Sequence, residues 1–489
     1  MARTKLIGYA PDADQINPGV LVSVENAVPS LKGMVGAPGP VSGLLPALAA
    51  VCRGAAVLRK LDDTTRLISG SATRLYEAGA SSWTDVSLGG SGGAGYAALT
   101  SGYWWCFAQY GNVSLAIHKA IVLQQSTSGA FAAATAPQAS IVETVGQFAF
   151  LFDTTEATYG DSPDRWWCSA FGNFADWVPS VATQCATGRL IASAGPIRAA
   201  KRFGEQIAVY KARGMSLGTY QGAPAVWQFD EIPGSAGALS QEGVVDISTE
   251  AYPRHIFMGI DDFYSFDGSR PTPIGVGWVK TAVFSELSFA NARLVCAGHD
   301  AANSRIYFYY PTSTTLNKCV VYNYKTKQWG RDDRVIEFAV QYVTPGLTYD
   351  DFGTYYAAYG TDIAATYDAS FLNAGAPVPS IFNASHVIQT MTGDAVSSSI
   401  TTGDTGDEDS YLELSAVRPI FLTTPPTANL TNYYRDTLGD ALTQDTTTAM
   451  NDGKFDVLRS ARWHRFKFDM VGNWEMAYFN AYATKRGNA

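Results

Sequence analysis

The chain has 489 residues and a net charge of −9, with only 16% charged residues against 46% hydrophobic ones. That length admits one very large domain or two to three ordinary ones, with enough apolar residues for a substantial core. The charge balance excludes a nucleic-acid binder held by a basic face, and no apolar run reaches membrane-spanning length.

Residues 1–45 carry Pro18, Pro29, Pro38 and Pro40 and read as an extended N-terminal arm. The opening MARTKLIGYAPDADQINPG has no apolar leader, so a soluble protein made in a cytoplasm is expected. Six cysteines, none closer than 17 residues to the next, form no CxxC motif and are expected as free buried thiols. Short helices are expected at 47–52 and around 281–291. Almost everything else alternates, or runs in brief β-branched and aromatic bursts bounded by Gly, Pro, Asp or Ser.

These bursts come as hairpins. IAVYKARGMSLGTY (207–220), IFMGIDDFYSF (256–266) and IYFYYPTSTTLNKCVVYNY (306–324) start 49 and 50 residues apart. Looser hairpins occur at 67–76, 103–117, 148–170 and 354–367, giving a mean step of about 48 residues. That period predicts a β-propeller of six to eight blades over 46–372, each blade a small sheet that buries its faces only between neighbours. Trp177, Trp227, Trp278 and Trp329 are spaced 50, 51 and 51 residues apart and are read as blade-packing aromatics. In RWWCSAFGNFADWVPS (165–180) a ligand cage is the competing reading, and packing is preferred.

From about Asn373 the composition turns to Ser, Thr, Gly and Asp. Between 373 and 459 there are eleven acids against four bases. The alternation of KFDVLRSARWHRFKFDMVGNWEMAYFNAY (454–482) then gives two or three strands with a turn at Gly472-Asn473. Residues 373–489 are expected to form a C-terminal β-domain with an acidic insertion, or to complete the propeller.

Motifs with chemistry are weak throughout. GGSGGAGY (89–96) contains a formal GxGxxG, but strand-like residues follow it and no acid lies between Asp85 and Glu143, so an inter-blade loop is expected. GDTGDEDS (403–410) lacks the EF-hand spacing. No HExxH or G-x-S-x-G is present. The acid pairs Asp261-Asp262 and Asp350-Asp351 sit at expected turns, although propeller glycosidases do work with facing carboxylates. No catalytic, metal-ligating or cofactor-binding residue is assigned.

Several stretches resemble the tail hub, or nozzle, proteins of short-tailed bacteriophages, also called packaged-DNA stabilisation proteins. They are NPGVLVSVENAVPSLKGMVGAPGP (17–40), RWWCSAFGNFADWVPS with ATGRL (186–190), DDFYSFDGSRPTPIG (261–275), VVYNYKTKQW (320–329) and LRSARWHRFKFDMVGNWEMAYF (458–479). The likeness lapses over 373–450 and at the terminal KRGNA. The resemblance implies a structural virion component, assembled in the bacterial host cytoplasm. It implies a homo-oligomeric ring, usually a hexamer, below the head-to-tail adaptor ring. Such a ring extends the DNA channel, helps retain the packaged genome and docks tail fibres or spikes. Double-stranded DNA would pass without sequence-specific binding, because a neutral or acidic wall forgoes the counterion release that holds DNA. Asp404, Asp407, Glu408 and Asp409 are the acidic candidates for the channel face. Two alternatives stand beside this reading: a propeller enzyme or lectin acting on glycans, and a host-binding adhesin.

Overall fold

The computed structural model describes residues 3–42, 45–79, 81–234, 236–249, 252–343 and 377–488. Strands make up nearly all of its regular structure. Seven strands stand side by side around an axis. In chain order they are Ala55–Arg59, Cys106–Tyr110, the second half of Ala132–Val145, Ile197–Phe203, Val244–Asp246, Cys296–Asp300 and Ile336–Tyr342. Each touches the next, and the last touches the first. Each is also the inner strand of an antiparallel blade. The fold is therefore a closed seven-bladed β-propeller.

Continuous apolar runs follow from this geometry, because a strand in the middle of a blade is covered on both faces by neighbouring blades. FAFLFDT (148–154) and RIYFYYP (305–311) are buried at every position. Six of the expected hairpins fall one to a blade, in blades 1 to 6. The hairpin at 354–367 lies outside the described residues. Blades 2 and 3 share a strand: Ala132 and Ala133 pair as the outer edge of blade 2, and residues 138–145 form the inner strand of blade 3.

Blade 7 combines three segments far apart in sequence. Val378–Asn383 and Ile388–Gly393 follow its inner strand, and Gly39–Ser42 from the start of the chain forms the outer edge. The propeller boundary expected at 372 thus falls near 393, and the ring is latched by an N-terminal strand. Such a latch replaces an open strand edge with paired backbone groups.

The remaining strands build a two-sheet sandwich. One sheet joins Ser410–Thr423, Phe455–Ala461 and the long Glu475–Asn488, which also pairs Arg3–Lys5 and Met34–Gly36. The other orders Gly8–Tyr9, Val20–Glu25, Ser398–Thr402, Trp463–Val471, Thr427–Arg435 and Thr443–Ala449. Leu414, Val417, Leu430, Phe466, Phe468 and Phe479 fill the space between them. Trp474 ties the sheets by donating its Nε1–H to Ser398 Oγ at 2.8 Å.

Two expectations need correction. The segment 1–45 is not an arm outside the core: Leu6, Tyr9, Leu21, Val24 and Met34 are buried in the sandwich core. Two pairings lie within the segment, Gly8–Tyr9 with Val20–Glu25 and Ala27–Pro29 with Met34–Gly36, but these strands are short, and further partners lie at 398–402, 475–480 and in Gln328–Arg331 of blade 6. Gly8 is required there, since it has φ +116° and a Cβ would stand 3.1 Å from the Trp329 carbonyl oxygen. The helix expected at 47–52 is irregular chain. Leu45, Leu48 and Cys52 are buried at helix-like spacing, but Leu48 N–H donates to His386 O and Cys52 N–H to Glu337 Oε2. Blade 7, not a helical turn, takes those donors. The second expected helix is present as α1 (Lys280–Glu286), with a 3-10 turn at Phe289–Leu294.

Candidate functional site: the axial channel and one apolar loop

The motif tryptophans serve packing, but not at one repeated position. Trp227 and Trp329 lie on the outer strands of blades 4 and 6 and pack onto the preceding blade. Trp227 meets Phe150 edge-on at 4.9 Å, and Trp329 lies 4.8 Å from Phe263. Trp177 is buried within the loop between the third and fourth strands of blade 3, where its carbonyl accepts from Trp167 Nε1 at 3.1 Å. Trp278 is half-buried in the loop leading to α1, and its carbonyl accepts from Asp12 N–H at 3.1 Å.

That Trp177 loop, residues 169–185, has a second character. Asn173 and Asp176 cap its turns, and Phe171 N–H donates to Thr183 O. The fold of the loop leaves Phe171, Val178 and Val181 exposed, Val178 by 72%. Phe171 stacks on the partly exposed Tyr220 of blade 4. Three large apolar side chains exposed on one well-bonded loop make it a candidate contact surface.

The four acidic candidates separate. Asp404 is buried and held by Arg435 and Arg465, with Arg465 Nε 2.9 Å from Oδ1. It therefore cannot present charge to a channel, which corrects its assignment. Asp407 pairs with Lys485 at the surface, and that contact, with Ser410 Oγ–H, lowers its pKa to about 2. Glu408 and Asp409 stand exposed. All four lie on the sandwich, beside the strands Thr405–Gly406 and Ser410–Thr423.

The axial channel holds charged groups that motif searching does not reach. Because the inner strands run the same way, residues at their starts meet at one mouth and residues at their ends at the other. Arg198, Arg293, Tyr103, Ser140 and Gln241 line the first mouth. Lys201, Glu242, Asp246, His299 and Gln341 line a cavity of about 250 Å³ further along. Burial works against the Lys201 charge, yet Glu242 and then Glu143 outweigh it and raise the pKa. Burial pushes the Glu143 carboxyl up, against the opposing pull of Lys201. Burial also lowers His299. In sequence these residues are scattered over 103–341, on inner strands or just before them; the only signal of Lys201, Asp246 and His299 is that an inner propeller strand should not carry a titratable group unless it faces the axis.

The six cysteines are buried and free, and burial raises Cys52, Cys106 and Cys168 to about 12, which removes thiolate chemistry near neutrality. Among the described residues no three His, Cys, Asp or Glu side chains gather as a metal cluster, and no helix is long and apolar enough to cross a membrane.

No family model matches the chain, and no curated protein matches it. Solved structures do share its architecture at low identity. YCF48 from Cyanidioschyzon merolae has 10% identity and a TM-score of 0.37, covering 73% of this chain and 98% of its own. BamB from Moraxella catarrhalis has 10% identity and a TM-score of 0.37, covering 80% and 97%. The N-terminal domain of Nup159 has 10% identity and a TM-score of 0.34, covering 79% and 98%. Likeness at this level carries no inference about function; the closed ring of seven inner strands carries the propeller assignment, and to that fold class the chain belongs.

Proposed function

We propose that the chain is a structural subunit of a short-tailed phage tail, a hub or nozzle component below the head-to-tail adaptor. In this reading copies of the chain form a structural, non-catalytic ring that lines part of the DNA channel, helps retain the genome and offers its outside to fibres or spikes. The observation that carries the reading is the use of the resembling stretches. Asp262 is buried and accepts from Phe263 N–H and Gly275 N–H, tying blade 5 to the loop before α1. Asn323 caps the turn before Trp329. His464, Arg465 and Trp474 hold the sandwich together. The 169–185 loop adds an exposed apolar contact surface. These residues serve joints and a contact face rather than a cleft. A chain charge of −9 suits a wall past which DNA slides, its repulsion reaching about 8 Å at physiological salt.

Mass photometry of the chain, alone and with its adaptor, tests this. A ring is expected with the adaptor, and Val178→Asp with Val181→Asp should lower its yield at least tenfold if the loop is an interface. A monomer under both conditions overturns the reading.

One observation favours the glycan-active alternative. Glu143, Glu242 and Asp246 surround Lys201 near the axis, and a buried carboxyl with a raised pKa is the form a general acid takes. Release of reducing ends from bacterial surface polysaccharide, lost in Glu143→Gln, supports this alternative; no release in the wild-type chain removes it.

A further inference from the structure

A groove of about 360 Å³ runs across the loops of blades 4 and 5 to the 3-10 turn that enters blade 6. That volume is at the lower end of the range for small-ligand pockets. Leu239, Ile260, Phe289 and Ala292 form its apolar wall, and Arg198 and Arg293 stand at its end, where the axial mouth begins. Among the described residues no carboxylate lines the groove itself, while Glu242 lines the adjoining axial mouth and makes no ion pair with either arginine.

Several arginines elsewhere in the chain are matched with acids. Arg66 meets Glu77, Arg74 meets Asp85, Arg334 meets Asp332 and Arg459 meets Asp445. Among the described residues Arg198 and Arg293 form no ion pair. Arg293 instead lies over the Tyr103 ring, 4.4 Å from its centroid, which fixes the direction of its guanidinium. Two half-buried cations left close together oppose each other: burial first, and then Arg293, lower the Arg198 pKa. A planar oxyanion relieves both effects, because each guanidinium can offer it paired N–H donors.

We propose that this groove binds a carboxylate carried on an apolar body, the acid between Arg198 and Arg293 and the body along Leu239, Ile260 and Phe289. The proposal does not depend on the tail assignment. A free phosphate satisfies the arginines but leaves the apolar wall in water, so the wall selects the organic acid.

Hexanoate, hexanamide and inorganic phosphate titrated calorimetrically into the full chain, at low salt, decide the matter. Hexanoate should bind with a Kd in the millimolar range, at least tenfold tighter than either hexanamide or phosphate. Arg198→Gln should weaken hexanoate at least tenfold while leaving the urea midpoint unchanged or raised, since it removes one of two repelling charges. Absence of hexanoate binding to the wild-type chain overturns the site. Equal binding of hexanamide overturns the role of the arginines, and equal binding of phosphate overturns that of the wall. The wild-type comparisons need no variant, so they stand even if Arg198→Gln fails to fold.

Discussion

The propeller and the sandwich are both β-structures, but they are assembled on different scales. In blades 1 to 6 almost every strand pairs with its neighbour in sequence, so each blade is a local product of turns and alternation. The sandwich joins strands from the two ends of the chain, with Leu21 opposite Thr402 and Met34 opposite Met476. The two regions then share one core, in which Trp329 and Phe263 of the propeller lie with Phe466 and Phe479 of the sandwich. Local order is cheap in loop-closure entropy and long-range order is not, so the sandwich should depend on a few decisive contacts.

Removing residues 1–42 is the harshest way to break this comparison. An arm could be deleted with little cost. Here the deletion takes four sandwich strands, the Ala27–Pro29 strand that pairs with blade 6, and the latch of blade 7. The loss should exceed the whole stability margin of a domain, about 5–15 kcal/mol. The truncated chain should be insoluble or lack near-ultraviolet circular dichroism; a soluble chain with native dichroism would show that the ends are dispensable.

Trp329→Ala should cost about 3–5 kcal/mol, measured from urea unfolding. The side chain is fully buried between Phe263 and Tyr322, and its indole N–H has no hydrogen-bond partner among the described residues. The cost is therefore lost packing at the junction of the two regions. A cost under about 1 kcal/mol would mean that the junction relaxes around the cavity.

Asp404→Asn should cost about 3 kcal/mol, because it leaves Arg435 and Arg465 facing a neutral amide in a buried site. Asp407→Asn, three residues on, should leave the urea midpoint unchanged, since its partner Lys485 is exposed. If the two variants behave alike, burial does not separate the acids of this stretch. The sequence offered them as one cluster because charge is visible in it and burial is not. The same limit explains the rest of what could be read. Hairpins and the propeller period were legible, since alternation and turn residues are local. The pairing of Val20–Glu25 with Ser398–Thr402, the latch at Gly39–Ser42 and the meeting of Arg198 with Arg293 depend on residues far apart, which no local pattern encodes.

The histidines sharpen the comparison by pH. His255, in blade 5, is buried with Nδ1 2.7 Å from Tyr210 Oη and Nε2 2.9 Å from Arg202 O. The neutral ring satisfies both, with Nε2–H donating to the carbonyl and Nδ1 accepting from the hydroxyl. Burial lowers its pKa to about 4. His464, in the sandwich, has Nε2 3.2 Å from Leu412 O and Nδ1 3.3 Å from Asn432 Oδ1. Burial lowers it too, but the Leu412 carbonyl supports its charged form. For both, the unfolded chain binds a proton that the folded chain resists. Their contribution is complete above about pH 6.5 and is lost as pH falls toward the folded value. For His255 that loss is on the order of 3 kcal/mol between pH 6.5 and 4. Urea unfolding across that range should therefore flatten more in His255→Asn than in His464→Asn. The slope is the quantity to compare, since a pH-independent packing loss cancels from it. Equal slopes in the two variants would mean that the proton linkage does not distinguish the propeller from the sandwich.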